Sequence, residues 1–70
     1  MMPLTMAKVG ERNSIKKISG KIEIKQHLEN LGFVAGAPVT VITKIGGNVI
    51  VSIRESRIAI SREMAAKIMV

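Results

Sequence analysis

The chain has 70 residues, no cysteine, no aspartate and a net charge of +6. A chain of this length forms one small domain, residues 1–70, and the lack of cysteine excludes disulfides and thiolate zinc sites. The core must therefore be aliphatic, and the sequence has eighteen isoleucines and valines against three leucines. Because β-branched residues suit strands better than helices, the composition predicts a mainly β fold.

The first part of the chain is predicted to contain a helical turn and a strand. Thr5 is placed to cap a single helical turn before Gly10. The segment from Arg12 to Ile18 is predicted as a strand that buries Ile15 and Ile18. Because these two isoleucines are three residues apart, strict alternation is broken and a bulge or a strand end is expected between them.

A helix is predicted over about residues 22–31. Glu23 lies near its start, where the positive end of the helix dipole stabilises a carboxylate. Gly32 follows at the position where helices often end in a left-handed residue. Gly36 comes one apolar step later and marks the beginning of a β-rich half. One helical face carries apolar residues at i, i+4 and i+7, namely Ile24, Leu28 and Leu31.

The β-rich half begins with a hairpin. Gly46-Gly47-Asn48 is predicted as its loop, because these residues accept positive φ. A return strand follows, then a tight turn at Glu55-Ser56 and a third strand over residues 57–60. The period of two predicts that one face of the first strand carries Val39, Val41, Thr43 and Ile45.

The last ten residues predict a short helical turn and a closing strand. Ser61 is placed to cap the turn, at about residues 61–66. Ile68 and Val70 then alternate with Met69, and a strand this short must pair with an existing sheet. Together the elements predict a small barrel of five to six short strands with one helix.

Catalytic side chains are not gathered anywhere in the sequence. Nucleophilic catalysis needs a nucleophile, a base and an orienting group, but His27 is the sole histidine and no G-x-S-x-G motif is present. The five glutamates are scattered through turns and the helix surface, where solvated carboxylates are expected. We therefore predict a protein that is not an enzyme and has no cofactor.

A preformed iron site is not predicted either. Ferrous iron prefers nitrogen and oxygen ligands, often two histidines and a carboxylate. His27 and Glu23, four residues apart on the predicted helix, supply at most two ligands from one chain. An exposed helix histidine is the simpler interpretation, and weak divalent metal binding, helped by symmetry in a dimer, stays as the alternative.

The positive charge favours an anionic partner. Such a partner is a nucleic acid, an anionic membrane surface or an acidic protein surface, and a basic surface with no dedicated partner is the remaining alternative. Phe33 is the only aromatic residue, and it is either an exposed anchor for a partner or packed under the helix. The basic side chains that would form one or two patches are Lys16, Lys17, Lys21, Lys25, Arg54, Arg57 and Arg62.

A membrane-spanning helix requires a run of about 20 apolar residues, and the sequence contains no such run. The first residues lack the basic and apolar regions of a signal peptide. The expectation is a cytoplasmic protein.

The order of these motifs resembles the FeoA family, the ferrous iron transport protein A of bacteria. The resemblance covers nearly the whole chain. Its best marker is Leu28-x-x-Leu31-Gly32-x-x-x-Gly36. The other matching residues are Leu4, Gly10, Val39-x-Val41, the glycine hairpin, Ile58-Ala59-Ile60, and Ala65-Ala66-Lys67-Ile68-x-Val70.

The resemblance implies an SH3-like barrel that acts in the cytoplasm beside FeoB, a membrane protein with a GTP-binding domain that takes up ferrous iron. A similar domain ends some iron-dependent transcriptional repressors. Two departures bear on surface contacts. His27 stands where many relatives have arginine, and Arg54-Glu55-Ser56-Arg57 replaces a turn that often contains glycine.

We expect a non-catalytic accessory protein that docks on the cytoplasmic part of FeoB, with self-association left open. The alternative is a nucleic-acid-binding or metalloregulator accessory domain. Direct iron binding is a third hypothesis.

Overall fold

The computed structural model describes residues 1–70 and contains six short strands and two helices. A 3-10 turn at Leu4–Met6 precedes them. It follows Pro3, and no side chain caps it, so the predicted Thr5 cap is wrong. The elements are β1 (Arg12–Ser14), β2 (Lys17–Ile18), α1 (Ile22–Asn30), β3 (Pro38–Ile45), β4 (Asn48–Ile53), β5 (Ser56–Ser61), α2 (Arg62–Ala65) and β6 (Ile68–Met69).

The strands form two antiparallel sheets. A four-stranded sheet has the order β1-β3-β4-β5, and β2 pairs with β6 in a two-stranded sheet. The mainly β prediction is confirmed. The strands do not close into one continuous ring, because β5 and β1 are both edges of the larger sheet.

One continuous segment passes from the larger sheet to the smaller one. The Ile15 N–H donates to Ala37 C=O (2.9 Å), and the next N–H, of Lys16, donates to Met69 C=O (2.7 Å). The strand predicted over residues 12–18 is therefore two strands with a corner between them. The corner lies between Ile15 and Ile18, where the broken alternation indicated it, and both isoleucines are buried.

The smaller sheet is extended by the first residues of the chain. Met2 and Val70 exchange two backbone hydrogen bonds of 2.8 Å, and Pro3 forms a bridge with Met69. Ile68 and Val70 are buried. The closing strand predicted at residues 68–70 is confirmed.

The end of α1 is a Schellman motif. The Phe33 N–H donates to Leu28 C=O and the Gly32 N–H donates to Glu29 C=O, both at 3.0 Å. Gly32 has a φ of 106°, as this motif requires. Leu28 and Phe33 are the apolar pair that accompanies the motif, and neither has any exposed surface.

Leu31 differs from the prediction. It caps α1 and keeps 37% of its surface exposed, so the buried face consists of Leu28 with half-buried Ile24. The helix ends one residue earlier than expected, which turns Leu31 towards solvent.

The predicted apolar face of β3 is correct only as far as Val41. Val41 pairs with Val51 but Thr43 pairs with Ile50, so Ile42 is an extra residue in the strand. Such a bulge moves every later side chain to the opposite face. Thr43 and Ile45 therefore leave the core side, and Ile45 is 60% exposed.

The turn between β4 and β5 lies one residue before the predicted Glu55-Ser56. Arg54 and Glu55 form it, with φ of 49° and 65°. Positive φ at both central residues is the geometry of a type I′ hairpin. Neither residue is glycine, so the turn is held by the strands on either side.

The short helix α2 begins as predicted. The Ser61 hydroxyl oxygen accepts a hydrogen bond from the Met64 N–H at 3.2 Å. This N-cap bond satisfies one of the free N–H groups at the start of the helix.

Candidate docking surface

The outer face of the four-stranded sheet carries a polar row that crosses every strand. Arg12 pairs with Thr40, Thr40 pairs with Ser52, and Ser52 pairs with Arg57. Side chains opposite one another in a sheet point to the same face. Val39, Val41, Val51 and Ile53 alternate with this row and point into the core. The two arginines thus stand at the two edges of one outer face.

Arg54 joins this row from the hairpin turn. It lines a groove of about 450 Å³ together with Arg12, Thr40 and Ser52, and Pro38 and Glu55 complete the walls. Its side chain passes over Gly32, where Cδ lies 3.5 Å from the position that a Cβ would occupy. The arginine side chain therefore packs against the end of α1 beside the groove. Arg57 does not line the groove but stands beside it, opposite Ser52 in the same row. We call Arg12, Thr40, Ser52, Arg54 and this neighbouring Arg57 the arginine groove.

The arginine groove is suited to bind oxyanions. A guanidinium presents planar N–H donors that match carboxylate and phosphate oxygens, and hydroxyl groups add further donors. The Asn13, Lys44 and Ser61 side chains make the side-chain hydrogen bonds in this chain, and none involves an arginine. The arginine donors are therefore available to a ligand.

Arg12 is the groove residue that the sequence analysis missed. It lies 28 residues before Thr40, and its place opposite Thr40 depends on strand register. The sequence does contain a signal that Arg12 is on the outer face. Side chains alternate along a strand, so Arg12 and Ser14 lie on the face away from buried Ile15.

The predicted lysines form a second group at the smaller sheet. Lys16 and Lys17 are exposed at β2, Lys21 is the N-cap residue of α1, and Lys25 lies one turn further along α1. Lys67, which was not predicted, joins them: its Cδ lies 3.4 Å from the position that a Cβ on Gly20 would occupy. We call these five residues the lysine cluster.

Arg62 belongs to neither group. It lies on α2 beside Glu63 and faces a shallow depression with Thr5 and Met6. The predicted basic residues are thus divided between two surfaces and one isolated position.

Phe33 is not a surface anchor. It is fully buried, so of its two predicted alternatives the packed one is correct and the role in partner binding is wrong. The Schellman motif directs the residue after Gly32 back onto the helix, which explains the burial. Because Phe33 is the only aromatic residue, the surface has no aromatic groove for proline-rich peptides and no platform for base stacking.

His27 and Glu23 are both exposed on α1. No group of three or more histidine, cysteine, aspartate or glutamate side chains is placed to hold a metal ion. The pair supplies two ligands at most.

None of the helices is long and apolar enough to cross a membrane. Together the fold and the surface define a small mainly β domain with a groove lined by two arginines and two hydroxyl side chains. A family model described as FeoA domain matches residues 2–70, and the chain belongs to this family.

Relatives support the same placement. The chain is 43% identical over all of its 70 residues to "Putative Fe(2+) transport protein A" of Methanocaldococcus jannaschii, covering 85% of that protein. Among solved structures, an iron uptake regulatory protein (FeoA) is 26% identical with a TM-score of 0.88, and the match covers 97% of this chain and 92% of that one.

The FeoA of Stenotrophomonas maltophilia, solved with zinc and described as an SH3 domain protein, has a TM-score of 0.85 and 21% identity. The match covers 99% of this chain and 88% of that one. The family resemblance and the SH3-like fold are confirmed.

Proposed function

We propose that this chain is a non-catalytic accessory protein of ferrous iron uptake that docks on the cytoplasmic part of the FeoB transporter. The observation that carries the proposal is the family match over residues 2–70, together with the 43% identical relative named for Fe(2+) transport. The arginine groove supports docking, because free arginine donors on a sheet face suit an acidic protein surface.

Docking regulates the transporter only if the chain binds one of its conformations more tightly than another. The difference between the two affinities sets how far the equilibrium moves. In this proposal the chain acts by contact alone, and iron is the cargo of its partner.

The test is binding of this chain to the purified cytoplasmic part of FeoB from the same genome. We expect a complex at micromolar concentration that weakens as salt is raised, since exposed charges are screened. The double variant Arg12→Glu with Arg57→Glu serves as the control, and it should bind FeoB more weakly than the native chain does. Absence of any complex at low salt would contradict the proposal.

The lysine cluster favours a second candidate function, which is binding to nucleic acid. Its charges suit a phosphate backbone, although base stacking has no aromatic partner here. A DNA titration at two salt concentrations separates the two functions. Tight binding with a steep salt dependence would favour this second function.

Direct iron binding is tested by calorimetry with Fe(II) under anaerobic conditions. The proposal expects that the native chain and His27→Ala give the same heat on addition of Fe(II), because no iron binding depends on His27. If the native chain instead binds Fe(II) saturably and either His27→Ala or Glu23→Gln loses that binding, the exposed pair on α1 is a metal site.

A further inference from the structure

The arginine groove has no structural role that accounts for its composition. Arg12, Arg54 and Arg57 are exposed, and none of them donates a side-chain hydrogen bond within the chain. Each guanidinium has five N–H donors, and these donors are open to an anionic ligand.

We propose that the arginine groove holds an extended acidic segment of the partner protein, with its carboxylates on the arginines. This inference rests on the proposed function and names the docking surface and the chemistry of what docks there. Arginine binds carboxylates through two parallel N–H donors, which makes these pairs stronger than lysine contacts. Thr40 and Ser52 lie between the arginines in the row and offer hydroxyl donors to the same segment.

The surroundings of the groove favour a peptide over a nucleic acid. Glu55 forms part of its wall and repels phosphates and carboxylates alike, so the ligand must place an uncharged part beside it, which a peptide with two spaced acidic residues can do and a continuous phosphate backbone cannot. The adjacent row on the same outer face is Thr43, Ile50 and Ala59, which gives aliphatic side chains of a peptide a contact surface. A peptide combines carboxylates and aliphatic groups, whereas a nucleic acid offers phosphates and bases.

The width of the sheet sets the spacing of the acidic residues. Arg12 and Arg57 are separated by three strand intervals, which is about 14 Å. An extended peptide advances about 3.3 Å per residue, so residues i and i+4 are about 13 Å apart. We therefore expect two acidic residues at i and i+4 in the bound segment.

The experiment is an NMR titration of the isotope-labelled chain with a synthetic extended peptide that carries glutamates at i and i+4. The same peptide with glutamines is the control ligand, and an oligothymidylate tests the nucleic acid alternative. We expect shift changes at Arg12, Thr40, Ser52, Arg54 and Arg57 with the glutamate peptide, and none with the glutamine peptide. Absence of shift changes at about 1 mM peptide would overturn the proposal.

Two double variants separate the groove from general charge. Arg12→Gln with Arg57→Gln removes two charges from the groove, and Lys21→Gln with Lys25→Gln removes two from the lysine cluster. All four positions are exposed, so both variants should fold, which circular dichroism checks. We expect about tenfold weaker peptide binding in the first variant and less than about twofold in the second. Equal losses, or tighter binding of the oligothymidylate at the groove, would overturn the proposal.

The same variants, tested against the cytoplasmic part of FeoB, distinguish this inference from the proposed function. If the native chain does not bind FeoB but the groove binds the glutamate peptide, the proposed function fails and the acidic ligand stands. If the native chain binds FeoB and the groove variant binds equally well, the docking function stands and the groove assignment is wrong.

Discussion

Phe33 provides the sharpest test of how this small core is built. It has no exposed surface and lies directly after the Schellman glycine at the end of α1. Phe33→Ala removes a ring from a closely packed core and leaves a cavity, which costs about 3–5 kcal/mol. A chain of 70 residues has a free energy of unfolding of about 4–10 kcal/mol. The substitution should therefore remove about half of the stability.

The assay is chemical denaturation followed by circular dichroism, because the chain has no tryptophan or tyrosine to report by fluorescence. Phe33→Leu keeps most of the apolar volume and should cost about 1 kcal/mol. Ile22→Ala is the matched control: Ile22 lies on α1 but is 67% exposed, so a change within about 0.5 kcal/mol is expected. If Phe33→Ala keeps native stability and instead weakens partner binding, the reasoning from burial is wrong.

Three further substitutions test local features of the fold by the same denaturation assay. Gly32→Ala should lower the free energy of unfolding by about 1–3 kcal/mol, because alanine is strained at a φ of 106°. Gly47 does not have a positive φ, so Gly47→Ala should lower it less. Equal losses of stability in the two variants would refute the backbone argument. Glu55→Gly should raise the free energy of unfolding by up to about 1 kcal/mol, because glycine accepts the φ of 65° without a Cβ clash. A loss of stability in this variant would show that the turn is unstrained. Ser61→Ala should cost about 1 kcal/mol through loss of the N-cap bond to Met64, and an unchanged midpoint would contradict that role.

Features encoded by near neighbours in sequence were predicted well. The helix, its glycine stop, the glycine hairpin and the Ser61 cap each depend on residues within about five positions of one another. Their hydrogen bonds close over short loops, so the local sequence is sufficient to specify them. The errors at Thr5 and at the Glu55-Ser56 turn are shifts in position between neighbouring residues.

The candidate site was predicted only in part. Charge singles out Arg54 and Arg57, but it puts them in one set with Arg62, which lies on another surface. Arg12 was not named, and Phe33 was given an exposed alternative that its burial excludes. Charge identifies basic residues, while their grouping depends on which strands lie side by side.

The sequence by itself determined the β-rich composition, the single helix with its glycine end, and the excess of positive charge. The tertiary structure decided that the strands divide into two sheets, that Ile42 bulges and sends Ile45 outward, and that Arg12 stands in one row with Arg57. The physical reason is register: the cross-strand partners Lys17 and Met69 are 52 residues apart in the chain, and Arg12 and Thr40 are 28 residues apart. A shift of one residue reverses which face a side chain occupies.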